Sequence, residues 1–204
     1  MKNASALRRA VRAFALLVLA WGCGPAHAHL NTTGVGPLYD GLMHFLTGPE
    51  DLVPALGLAL LAGLRGAPSA RRTLFTLPTA WLLGSLAGLT AAAANAGTLA
   101  AACWFVLLGG LVVADAKLDL RSMTVLGALV GLVHGYLNGS GMGLSAAAFV
   151  APLGLSTAVF ILVAVVTALV VPLSAYWARV AVRVAGSWIA ASGLLMIGWS
   201  VRGV

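Results

Sequence analysis

The chain has 204 residues, of which 61% are hydrophobic and only 8% charged. A soluble domain carries roughly a quarter of its residues as charges, so composition excludes a water-solvated globule. The formal charge of +7 does not point to nucleic acid: Lys2, Arg8, Arg9 and Arg12 sit in an N-terminal targeting segment, and no basic stripe is interleaved with aromatics.

Residues 1–28 read as a secretory signal: a positive start, an apolar stretch from Ala13 to Trp21, and an Ala26-His27-Ala28 cleavage triplet that would leave His29 as the mature N-terminus. Residues 29–204 read as one domain, an all-α polytopic membrane helix bundle. A bilayer core takes roughly 20 apolar residues per helical span. The apolar runs predict six spans, approximately Leu52–Leu64 (extending back to Pro49), Thr73–Ala93, Thr98–Ala114, Ser122–Leu137, a long run from Leu144 to Tyr176, and Val184–Val201. Pro152 and Pro172 are expected to break or kink the fifth near its ends.

The remaining basic residues set the orientation. With the mature N-terminus outside, Arg65, Arg71 and Arg72 fall in the first inner loop, Lys117 and Arg121 in the second, and Arg179 and Arg183 in the third. Only Arg202 falls on the outer side, which agrees with the excess of Lys and Arg in cytoplasmic loops. Gly127, Gly131 and Gly135 recur every four residues in the fourth span, and Gly84 and Gly88 in the second, a spacing that lets helix backbones approach closely. Cys23 lies in the targeting segment and Cys103 inside an apolar run, so no disulfide framework is expected.

Against this background the ionisable residues stand out. His29, His44, His134, Asp40, Glu50 and Asp51 all fall at the outer ends of spans or before the first. Such groups at membrane depth are costly and mark substrate paths. Imidazole with carboxylate is also a donor set suited to borderline divalent ions such as nickel or cobalt. Two readings compete around the first span. Thr47 and Glu50 have the spacing of a capping box with Pro49 in the first turn, or Gly48-Pro49 turns the chain so that His44 faces the carboxylates. His134 and Asn138 share one helix face, although Asn138-Gly139 also has the form of a helix C-cap. Asp115 and Asp119, near Lys117 and Arg121, read either as a solvated loop with local ion pairs or as an inner exit site for a cation. No Ser-His-Asp arrangement, HExxH, CxxC pair or phosphate loop is visible.

These residues resemble the HupE/UreJ family of hydrogenase and urease accessory permeases. The family's motif HPxxGxDH is matched by His44 and Gly48; Glu50 stands in place of its Asp, Asp51 in place of its second His, and Phe45 in place of its Pro. The later motif HGxAHG is matched by His134-Gly135-Tyr136-Leu137-Asn138-Gly139, with Asn138 for the second His, and Leu77-Pro78 resembles an LP pair in the second span. The resemblance implies a non-enzymatic permease of the bacterial inner membrane with a periplasmic N-terminus. Nickel or cobalt would be transported cargo rather than a tightly bound cofactor, and hydrogenase or urease maturation proteins would be partners. It implies metal binding by His44, Glu50, Asp51 and His134, joined by His29 and Asn138. Replacement of two histidines by oxygen donors favours a harder ion or a weaker transit site. The alternatives are a non-transporting accessory or scaffold protein of the same fold and, third, an intramembrane enzyme.

Overall fold

The structure is a computed structural model and describes residues 34–92, 97–142 and 149–202. The expected signal segment, residues 1–28, and His29 lie outside the described residues. All described secondary structure is helical: α1 (Pro37–Thr47), α2 (Pro49–Leu64), α3 (Ala67–Gly88), α4 (Gly97–Val113), α5 (Leu120–Met142), α6 (Ala151–Val170) and α7 (Tyr176–Arg202).

α2 through α7 occupy the six expected apolar segments. α5, α6 and α7 are each long and apolar enough to cross a membrane, and α1 with α2 would make a fourth crossing if counted as one broken span. The count is therefore three or four, below the expected six. α4 is apolar throughout but has 17 residues, and the 22 residues of α3 include Arg71, Arg72, Thr73, Thr76, Thr79 and Ser85, which dilute its hydropathy. α6 has Pro152 in its first turn and ends at Val170, just before Pro172, so the prolines bound this helix rather than kink it.

α2 runs through the middle. Nearly every residue from Pro54 to Leu64 is buried, as befits a helix apolar on all sides, and it packs against α1, α3, α4, α5, α6 and α7. Around it the other helices form close pairs: α3 with α5, α4 with α7, and α1 with α6. The expected glycine rows join the first pair. A Cβ on Gly131 would stand 2.7 Å from the Leu77 carbonyl oxygen, and one on Gly84 would stand 2.5 Å from the Leu132 carbonyl oxygen, so only glycine lets these backbones touch. Gly127, by contrast, has ordinary space around it. Gly109, Gly186 and Gly193 do the same work between α4 and α7. The outward side of α7 exposes Trp177, Trp188 and Trp199.

α1 is the element that the apolar runs do not predict. It meets α2 at Gly48 with a bend of 74°. Gly48 closes α1 through its N–H to the His44 carbonyl oxygen, 2.9 Å away, and also begins α2, with Pro49 next. The capping box is therefore not formed: the Thr47 hydroxyl donates back to the Met43 carbonyl at 2.8 Å, and the α2 N-cap has no side-chain hydrogen bond. Phe45 takes part in this directly. A proline there would interrupt the α1 hydrogen-bond ladder; Phe45 leaves α1 unbroken and lies fully buried, edge-on to Trp81 at 5.7 Å.

Candidate metal site

Asp51 sits in the first turn of α2, 3% exposed, directly below the break. Its carboxylate is the hub of a polar network at the end of the bundle. The Asn138 side-chain amide donates to Asp51 Oδ2 at 2.9 Å. His134 Nδ1 lies 3.0 Å from Asp51 Oδ1. His44 Nε2 lies 3.1 Å from Asn138 Oδ1 and 4.0 Å from Asp51 Oδ2. Three elements supply these groups: His44 comes from the last turn of α1, Asp51 from α2, and His134 and Asn138 from one face of α5. The turn at Gly48-Pro49 thus brings His44 to a carboxylate, and that carboxylate is Asp51.

The hydrogen-bond partners fix the tautomers. A carboxylate only accepts, so His134 Nδ1 carries the hydrogen. A neutral imidazole then presents Nε2 as a bare lone pair. That atom is buried and has no hydrogen-bond partner, while the ring lies between Trp81 and Trp104, at centroid distances of 5.3 and 5.8 Å. Asn138 Oδ1 likewise makes Nε2 the protonated nitrogen of His44. His44 is the more open of the two, its side chain 14% exposed against 5% for His134.

The remaining expected residues separate clearly. Glu50 is exposed and stays out of the network; consecutive residues of a helix point about 100° apart, so Asp51 facing inward turns Glu50 outward. Asn138 is no C-cap, because α5 continues to Met142 and the Asn138 side chain is committed to Asp51 and His44. His29 is outside the described residues. At the other end of the bundle, Asp119 caps α5 by accepting the Ser122 N–H at 2.8 Å. Asp115 pairs with Arg65, and it lies 3.6 Å from Arg179 and 3.7 Å from Lys117. A carboxylate ringed by three cations repels a fourth, so Asp115 is no exit site for a metal ion; it ties its own loop to the end of α2 and the first turn of α7.

Positions 44, 51, 134 and 138 are the four at which the motifs that the sequence resembles would carry histidine. Here they hold His, Asp, His and Asn, and the two departures hydrogen-bond to each other. The replacements are a matched pair in space, which a separation of 87 positions along the chain conceals. Trp81 and Trp104, which enclose His134, carry no comparable signal in the sequence beyond the row Leu77, Trp81 and Ser85 at helical spacing along the buried face of α3. Among the described residues, no three His, Cys, Asp or Glu side chains converge into a ready coordination sphere. The site is a hydrogen-bonded network with one buried imidazole nitrogen that has no partner among the described residues. No curated protein and no solved structure gives a significant match to the chain. A sequence profile described as HupE / UreJ protein matches residues 15–196, nearly the whole length, and the chain belongs to the HupE/UreJ family.

Proposed function

We propose that this protein is an inner-membrane permease for a divalent transition-metal ion, with nickel and cobalt the first candidates and the maturation of a hydrogenase or urease the destination. The observation that carries the reading is His134. Its Nδ1 is held by a buried carboxylate while its Nε2 is buried without a partner. Histidines that bind metals are commonly oriented in this way, one nitrogen given to a carboxylate and the other to the ion. The ion arrives past His44, the more exposed imidazole, and Asp51 supplies the negative charge that offsets lost hydration. Because Asp51 and Asn138 offer oxygen where imidazole would hold nickel more tightly, the site suits transit rather than storage. The signal segment at 1–28 and the basic loops support a periplasmic mature N-terminus, so entry is from the periplasm.

A second reading, a membrane accessory protein that does not transport, is favoured by one observation: both Asp51 oxygens are already occupied, by His134 and Asn138. Uptake into proteoliposomes, with nickel, cobalt, zinc and manganese compared, separates the two. The permease reading expects uptake of at least one ion, and a fall of about tenfold or more in His44→Ala and in His134→Ala, the range seen when metal sites lose supporting groups. Both variants should remain folded and inserted. Lower pH should weaken uptake, since a protonated imidazole has no lone pair to offer. Wild-type uptake of none of the four ions would favour the accessory reading.

A further inference from the structure

The basic residues of the inner end divide into two groups. Arg65, Lys117 and Arg179 gather on Asp115, and Arg183 donates to the Val113 carbonyl at 2.7 Å. Arg71, Arg72 and Arg121 are exposed, and none of the ion pairs among the described residues reaches them. Arg71 and Arg72 flank a cavity of about 380 Å³ at the foot of α3 and α5, whose other walls are Pro68, Phe75, Thr76 and Leu120. The start of α3 adds to the positive potential: its N-cap, Gly66, makes no side-chain hydrogen bond, so first-turn N–H groups remain available to an anion.

The cavity is also graded along the membrane normal. Arg71 and Arg72 lie in the second turn of α3 and Thr76 just over one turn further on, about 6–7 Å along the axis. Phe75, 64% exposed, continues the wall and meets Phe160 of α6 with ring centroids 6.3 Å apart. Phe160 is itself 39% exposed. Cations near the foot of the helix, with a hydroxyl and exposed aromatic rings side by side about one turn further in, suit a phospholipid: phosphate first, then glycerol ester and acyl chain. A free phosphate would have no use for the aromatic wall.

We infer that the cleft of Arg71, Arg72, Phe75 and Thr76 binds the headgroup and upper acyl chain of an anionic phospholipid. Two arginines at a membrane surface attract anionic lipid strongly, and basic pockets between spans favour such headgroups. The lipid would seal the seam between α3 and α5, the two helices that interlock through glycine beside the His134 site. This inference is independent of metal transport, since lipid binding is read without any metal present.

The test uses the full chain in detergent, exchanged against mixed phosphatidylglycerol and phosphatidylcholine, with retained lipid weighed by native mass spectrometry. The expected result is selective retention of phosphatidylglycerol, reduced roughly tenfold or more in R71Q/R72Q. Leu120→Glu keeps both arginines but places a carboxylate against them at the start of α5, a favourable helix position; it should lose the lipid equally while keeping the wild-type unfolding temperature. Arg202→Gln, at the opposite end, should retain it. Equal retention of both lipids by the wild type, or unchanged retention in the Leu120→Glu variant, would overturn the inference. Displacement of the lipid by millimolar inorganic phosphate would overturn the lipid assignment in favour of a free anion.

Discussion

The bundle has a carboxylate hub at each end, and the two are built oppositely. Asp51 is buried and bonded to two imidazoles and an amide, directly or through one another. Asp115 is partly open, its side chain 22% exposed, and is held by Arg65, Arg179 and Lys117. The partners of Asp51 are neutral or titratable and can give way to a cation without leaving an unpaired charge. The partners of Asp115 are permanent cations, and they neutralise it for good. On the proposed function, the carboxylate that exchanges partners is kept among weak ones, whereas Asp115, which fastens chain segments, is kept among strong ones. Asp115 also adopts a left-handed backbone at φ 45°, a conformation that aspartate tolerates better than most residues.

Substitutions at or around the two hubs put this contrast at risk. The largest effect is expected from Gly131→Leu, because any side chain there meets the Leu77 carbonyl oxygen and the Ala80 methyl. Separating α3 from α5 should abolish the folded monodisperse protein in detergent, and unchanged thermal stability would mean that the glycine row does not hold the site. Asp51→Ala comes next. It strands the Nδ1 hydrogen of His134 and the Asn138 amide in a buried site, at about 1–3 kcal/mol for each unsatisfied group. Both thermal stability and metal uptake should fall, whereas the double variant D51H/N138H should recover uptake and shift preference towards nickel. Asp115→Asn should cost about 2 kcal/mol as charged hydrogen bonds are weakened. The loss should show in unfolding temperature and shrink at high salt, with little change in the affinity of the outer site. Glu50→Gln should be nearly silent in stability and uptake, since Glu50 faces solvent and caps nothing.

Most of the helical layout was legible because lipid demands long apolar runs, and α2 to α7 lie where those runs lie. The glycine rows were legible for a similar reason: spacing of four in an apolar helix has few uses other than close packing. The number of crossings was not, because α3 and α4 owe their place to burial against neighbours rather than to their own hydropathy and length. α1 was hidden because its 11 residues are too few for a span and mix apolar side chains with Asp40, His44 and Thr47, while the Gly48-Pro49 that follows reads as a turn. At the site, the order of His44, Asp51, His134 and Asn138 was readable, but the choice between Glu50 and Asp51 was not. It depends on the rotation of α2 about its axis, which the packing of Pro54 to Leu64 determines. Asn138-Gly139 looked like a helix end for a local reason, and tertiary contacts override it: Gly139 packs against Ser85 of α3 while Asn138 is drawn to Asp51.

The exposed tryptophans of α7 set a length scale. Trp177 and Trp199 are separated by twenty-two residues in an unbroken helix, about 33 Å along its axis. Indole rings settle at the two membrane–water interfaces, and the hydrocarbon layer between them is roughly 30 Å thick. The interval fits that layer with a modest tilt when Arg179 and Arg183, in the first turns of α7, are held to the Leu64 and Val113 carbonyls at the inner end. In a thinner membrane the helix must lean further. Because α7 is interlocked with α4 through Gly109, Gly186 and Gly193, the lean would pass to α4 and to Trp104 against the His134 ring. The lipid composition of the host membrane would then tune, through mismatch alone, how tightly the imidazole is enclosed.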